Sequence, residues 1–120
     1  MKNITQQEFS KINITETSLT FMLTSIYNNA VDEDLNLFLS CFLAQKFVLV
    51  KLIKFKNLQI RANPSALDEI KIENNKIELL DFSDRNHLVC DFEDIEFYEV
   101  SKEDMSDMLL KQSKEILRYS

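Results

Sequence analysis

Few residues of this chain combine type and spacing in a way that does chemistry. His87 is the only histidine, and with Cys90 and Asp91 it forms a His-x-x-Cys-Asp string that could ligate zinc or activate a thiolate. On a strand, however, residues three apart point to opposite faces. Cys90 alternates with Leu88 and Phe92, so the spacing reads as core rather than as a dyad. Glu69-Ile70-Lys71 matches the E-x-K half of a metal-dependent nuclease signature. The preceding metal-binding Asp is missing, because residues 35–67 hold no acid, and Lys71 is better explained by pairing with Glu78. Paired carboxylates could share acid–base work only where their environments drive their pKa values apart; the acids here read as solvated faces. Phosphate-binding loops and the EF-hand turn both rely on glycine, of which the chain has none. The expectation is a protein with no catalytic, cofactor-binding or metal-ligating residue. A carboxylate–metal hydrolase or nuclease ranks third among the functional readings.

Charge is the strongest remaining signal. Residues 1–34 carry five acids against two bases, and residues 35–67 carry no acid but Lys46, Lys51, Lys54, Lys56 and Arg61. Residues 68–120 carry fifteen acids against seven bases. Within 91–107, eight carboxylates (Asp91, Glu93, Asp94, Glu96, Glu99, Glu103, Asp104, Asp107) face only Lys102. Such a strip attracts cations or a basic partner surface. Tyr98 lies within it and belongs to a residue type enriched at interfaces. The basic middle segment could be a nucleic-acid footprint, but the chain is acidic overall and Phe47 and Phe55 lie in a very apolar stretch. These lysines are expected to guard strand edges and to complement the acids in space.

The elements that must position these groups follow from periodicity. Thr5 and Glu8 form a capping box for a first helix near 6–12. Leu19, Met22, Leu23, Ile26, Tyr27 and Ala30 follow helical spacing after Thr17 or Ser18, with Asn28-Asn29 as a stop. Asp32-Glu33-Asp34 then opens a third helix carrying Leu35, Phe38, Leu39, Phe42 and Leu43. A strand is expected from Phe47 to Phe55, a turn at Lys56-Asn57, and a strand over Leu58–Ala62. The sharpest local pattern runs from Ile70 to Leu79. A two-residue Asn74-Asn75 turn puts Ile72 opposite Ile77 and Ile70 opposite Leu79 on one face. The same register puts Glu73 opposite Lys76 and Lys71 opposite Glu78 on the other. A turn at residues 83–86, strands over 88–92 and 95–100, and a helix over 102–118 capped by Ser101 with Asp104 complete the reading.

The expected architecture is α+β and a single domain over 1–120: mainly helical to 46, mainly strands over 47–100, helix from 101. The N-terminal helices pack on a largely antiparallel five- to six-stranded meander, closed by the C-terminal helix. A strand meander followed by a C-terminal helix is similar in element order to pleckstrin-homology-like domains, with no motif that assigns the chain to that family. The apolar run from Leu35 to Ile53 approaches the length of a membrane span but is interrupted by Asn36, Gln45, Lys46 and Lys51, so a buried helix and a central strand are expected. With no apolar signal region in the opening residues, a cytoplasmic location is expected, with Cys41 and Cys90 as reduced core thiols. The excess of Phe, Ile, Asn and Lys over Gly, Ala, Arg and Pro follows codon base content and points to an AT-rich bacterial or phage genome.

The leading functional expectation is a small non-catalytic module whose acidic face (Asp91, Glu93, Asp94, Glu96, Tyr98, Glu99, Glu103, Asp104, Asp107) docks on and inhibits or masks a basic protein. That partner could itself be a nucleic-acid-binding protein; no cofactor, direct nucleic-acid contact or membrane contact is expected. A self-associating accessory subunit, such as a homodimer, is the alternative.

Overall fold

The computed structural model describes residues 2–15, 21–29, 33–41, 46–61, 66–67, 69–80, 86–107 and 110. In chain order these form β1 (Lys2–Ile4), α1 (Gln6–Thr15), β2 (Phe21–Asn29), β3 (Asp34–Cys41), β4 (Lys46–Ile53), β5 (Lys56–Ile60), β6 (Ala66–Leu67), β7 (Glu69–Glu73), β8 (Lys76–Leu80), β9 (Asn86–Asp91) and β10 (Asp94–Val100). A helix, α2, follows over 102–107. The strands make two antiparallel sheets, one ordered β1-β10-β4-β3-β2-β6 and one ordered β5-β9-β8-β7.

The α+β architecture with several N-terminal helices is therefore overturned: among the described residues the molecule is mostly β, with two sheets and helices at Gln6–Thr15 and 102–107. The segments read as second and third helices are strands β2 and β3. The physical reasons are visible in the pairing. β2 carries an irregularity between Leu23 and Ser25. Such a bulge adds a residue and shifts the phase of alternation, so Leu23 and Ile26 both reach the core three residues apart. That spacing imitates a helical repeat. In β3, Leu35, Leu37 and Leu39 face the main core while Phe38 faces a second cluster on the opposite side. A strand buried on both faces loses its alternation, and the remaining apolar run fits either element. The 35–53 segment is thus two paired strands rather than a buried helix and a strand, and Lys56 and Asn57 lie within β5 rather than forming the turn.

Two layers of apolar packing hold the sheets. In the main core Val48, Val50 and Phe97 of the six-stranded sheet meet Ile77, Leu79 and Leu88 of the other, all buried. Each such side chain removed from water contributes about 1.5–3 kcal/mol. Helix α1 joins this core through Phe9, which stacks on Phe97 with ring centroids 4.7 Å apart. The Thr5–Glu8 capping box forms as expected, Glu8 N–H donating to Thr5 Oγ1 at 3.1 Å and Thr5 N–H to Glu8 Oε1 at 3.2 Å. On the outer face of the larger sheet, Phe38, Phe47, Leu49 and Val100 pack with Met105 of α2. The Asp104 N–H donates to Ser101 Oγ at 3.1 Å, which caps α2; the expected continuation of this helix to 118 and the turn at 83–86 fall largely outside the described residues.

The β7–β8 hairpin has the register expected from both of its faces: Ile70↔Leu79, Lys71↔Glu78, Ile72↔Ile77 and Glu73↔Lys76. Its two turn residues, Asn74 and Asn75, have φ of 52° and 57°, the left-handed pair that lets a two-residue turn match the twist of its strands. With no glycine in the chain, Asn57 also takes this region, and so do Glu33 and Lys54, where a side chain is disfavoured by roughly 1–2 kcal/mol. Asn74→Ala should accordingly lower the unfolding free energy by about 1 kcal/mol, while Asn74→Gly leaves it almost unchanged. Urea midpoints at constant m-value measure this; equal midpoints for the two variants would show that the backbone angle is not what the position demands.

Candidate functional site

Backbone bonds gather several turns at one end of the sandwich. Phe92 N–H donates to the Asn75 carbonyl at 3.0 Å, Glu93 N–H to the Ile53 carbonyl at 3.0 Å, and Phe55 N–H to the Glu33 carbonyl at 3.4 Å. Asn75 Nδ2 donates to the Glu93 carbonyl at 3.4 Å. The β7–β8 turn, the β9–β10 connection and the end of β4 are thereby fixed side by side. Between the first two and the start of α1 lies a groove of about 180 Å³. Its apolar side is Ile72, Phe92 and Ile95; Gln6, Asn74 and Asn75 supply amides; Glu73, Glu93 and Asp94 supply three carboxylates. Asp94 Oδ1 accepts from the Ile95 N–H at 2.8 Å, which orients that carboxylate. None of the nine lining residues is basic. Lys54 Nζ approaches Glu93 to 3.7 Å, but both side chains are more than 60% exposed, and such a pair is worth little.

The nine residues expected to form one acidic face are distributed over several surfaces. Asp91 ends β9 on the outer face of the smaller sheet, where it lies opposite Lys56 on one side and Lys76 on the other and accepts from Asn57 Nδ2 at 2.9 Å. Glu96 stands opposite Lys51 on the outer face of the larger sheet and accepts a hydrogen bond from the Tyr98 hydroxyl. That bond, with lesser contributions from burial and from the Glu96 charge, raises the Tyr98 pKa. Glu99 shares the strand side of Phe97 and lies opposite Val48 and Lys2. Glu103 and Asp107 are exposed on α2 and Asp104 is half-buried there. The seven residues of β10 separate Asp94 from α2 by about 20 Å. This exceeds twice the screening length of about 8 Å at physiological salt. The groove and α2 therefore act as separate charged patches.

Glu93 and Asp94 are thus brought together, and their third member, Glu73, carries no signal in the sequence. Glu73 is read there as the closing residue of a hairpin, and its approach to the β9–β10 connection spans two sheets. Among the basic residues of the middle segment, Lys51 lies 3.4 Å from the buried Asp34 carboxylate, Lys54 lies 3.7 Å from Glu93, and Lys56 stands opposite Asp91 in the strand register.

The other chemical candidates resolve into structure. His87 is buried on β9, at the register shift that leaves it between Asn86, opposite Leu80, and Leu88, opposite Leu79. Cys90 is fully buried in the main core, with its thiol directed at the carbonyls of Asp91 (3.3 Å) and Lys56 (3.6 Å). Cys41 lies on β3 rather than on a helix. Among the described residues no three His, Cys, Asp or Glu side chains group so as to hold a metal ion, and no helix is long and apolar enough to cross a membrane. No family model, no curated protein and no solved structure matches this chain.

Burial pushes the Cys90 pKa from 9.0 up to about 11; the hydrogen bond to the Lys56 carbonyl opposes this and the Asp91 charge adds to it. At neutral pH the group is therefore a thiol and a poor nucleophile. Because the folded value lies above the unfolded one, the stability held by the neutral thiol is complete below about pH 9 and is lost as pH rises through about 11. Denaturant titrations across this window should show stability falling in the wild type and falling less steeply in Cys90→Ala. Identical slopes would mean that Cys90 is not held neutral by the fold.

Proposed function

We propose that this protein is a small non-catalytic protein-binding module that docks its acidic groove on a basic protein and thereby masks or inhibits it. The observation that carries the reading is the composition of the groove, a mostly polar surface to which Glu73, Glu93 and Asp94 contribute carboxylates and which has no basic residue among its lining. A lysine or arginine side chain fits that arrangement by its chemistry: the aliphatic stem lies along Ile72, Phe92 and Ile95 while the charged head reaches the carboxylates. The net charge of −6 adds a long-range field that steers a basic partner toward the protein and weakens with salt. A protein rather than a nucleic acid is the fitting partner, because the groove lining holds three carboxylates and no base and the chain is acidic overall. The cytoplasm is the compartment we propose, in keeping with Cys90 as a buried free thiol.

The test compares two charge reversals of equal size. Titrated with an oligolysine peptide as probe, the wild type should bind with an affinity that falls as salt rises. The double variant Glu93→Lys/Asp94→Lys should lose at least tenfold in affinity, a cost of about 1.4 kcal/mol, with little change in melting temperature. The control Glu103→Lys/Asp107→Lys, on α2, should retain most of the binding. Equal losses from both pairs would reduce the effect to net charge and remove the groove from the account.

A further inference from the structure

The open margins of the two sheets differ in kind. On the larger sheet the edge strands are β1, with three residues, and β6, with two. On the smaller sheet, β5 is irregular in register between Lys56 and Gln59 and carries Asn57 at φ 55°. Short strands and bulges are the ordinary devices that blunt an edge. The remaining edge, β7, has neither: its five residues pair with β8 in unbroken register. Glu73 and Lys76 flank the two-residue turn and so exchange both backbone bonds. By alternation Lys71 and Glu69 also direct their N–H and C=O groups at β8, and Ile70 and Ile72 direct theirs at the open edge. Glu69, Lys71 and Glu73 are exposed on the outer face, while Ile70 is buried and Ile72 half-buried on the inner one.

We propose that this edge docks an extended segment of a partner protein, which adds antiparallel to β7 as a fifth strand of the smaller sheet. The segment has the alternation basic–apolar–acidic–apolar–basic. Its backbone pairs with the outward-directed groups of Ile70 and Ile72, which no described strand engages, its central acid lies opposite Lys71, and its two bases lie opposite Glu69 and Glu73. The protein already displays this complement on the other side of β7, where Glu78 faces Lys71 and Lys76 faces Glu73. The same pattern disfavours a second copy. Full antiparallel overlap of two β7 strands puts Lys71 on Lys71 and Glu69 on Glu73, like charges directly opposed. The β7 edge shares Ile72 and Glu73 with the acidic groove, but the proposal does not rest on the groove reading.

Two capped peptide probes separate the possibilities, Thr-Lys-Val-Glu-Val-Lys-Thr and Thr-Lys-Val-Lys-Val-Lys-Thr, titrated into isotope-labelled protein and followed by amide chemical shifts. The wild type should bind the first about fivefold more tightly than the second, although the second is more positive, with shifts centred on Ile70 and Lys71. Lys71→Glu, whose fold is checked by the same spectra, should invert the preference. A preference of the wild type for the more basic peptide would overturn the proposal and point to unspecific attraction. Shifts confined to Glu93 and Asp94 would also overturn it and assign the binding to the groove. Light scattering on the free protein provides the last arm, since a dimer broken by Lys71→Glu would replace the partner segment with a second copy.

Discussion

The structure depends on burying both faces of its central strands. Along β4 the side chains of Phe47, Val48, Leu49 and Val50 are all buried, alternately under α2 and against the smaller sheet. Strand β3 does the same with Leu37, Phe38 and Leu39. A single sheet could not shelter both faces of these strands; it needs a second sheet on one side and a helix on the other. The smaller sheet and α2 answer that need, and α1 joins the main core through Phe9. The acidic groove follows from the same arrangement. It lies where the turns of the smaller sheet meet the strand end of the larger one, held by the Phe92–Asn75 and Glu93–Ile53 backbone bonds.

Charge is distributed by the same pairing. Strands β4 and β5, from the segment without acids, lie directly against β10 and β9, from the segment rich in them. The blocks of opposite sign along the chain are the linear trace of this antiparallel pairing, which sets Lys51 against Glu96 and Lys56 against Asp91. On the outer face of the smaller sheet one row reads Glu73, Lys76, Asp91, Lys56 across four strands, each charge flanked by its opposite. Exposed pairs of this kind add little stability individually. Their alternation does discourage registers that would oppose like charges, and so adds to the specificity of strand order.

Legibility in the sequence varied with the range of the contacts involved. The β7–β8 hairpin was readable to the residue because its apolar and charged faces each demand the same register. The caps at Thr5 and Ser101 were readable because both partners lie three residues apart. Strands β2 and β3 were misread as helices because a bulge in one and two-sided burial in the other erase the period that distinguishes the elements. Within the candidate site, Glu93 and Asp94 stood out in a run of acids. Glu73 did not, since its place beside them depends on a contact between two sheets.

By itself the sequence determined the hairpin and its register, the caps, the core strands (expected at 47–55 and 95–100, found at 46–53 and 94–100), and the segregation of charge, since each rests on neighbours in the chain or on a simple period. Tertiary structure decided that residues 21–29 and 34–41 are strand rather than helix, that the strands divide into two sheets, and that one run of acids becomes several separate patches. Those outcomes follow from long-range pairing, where the cost of leaving Leu37 or Val50 exposed on either face outweighs any local helical preference.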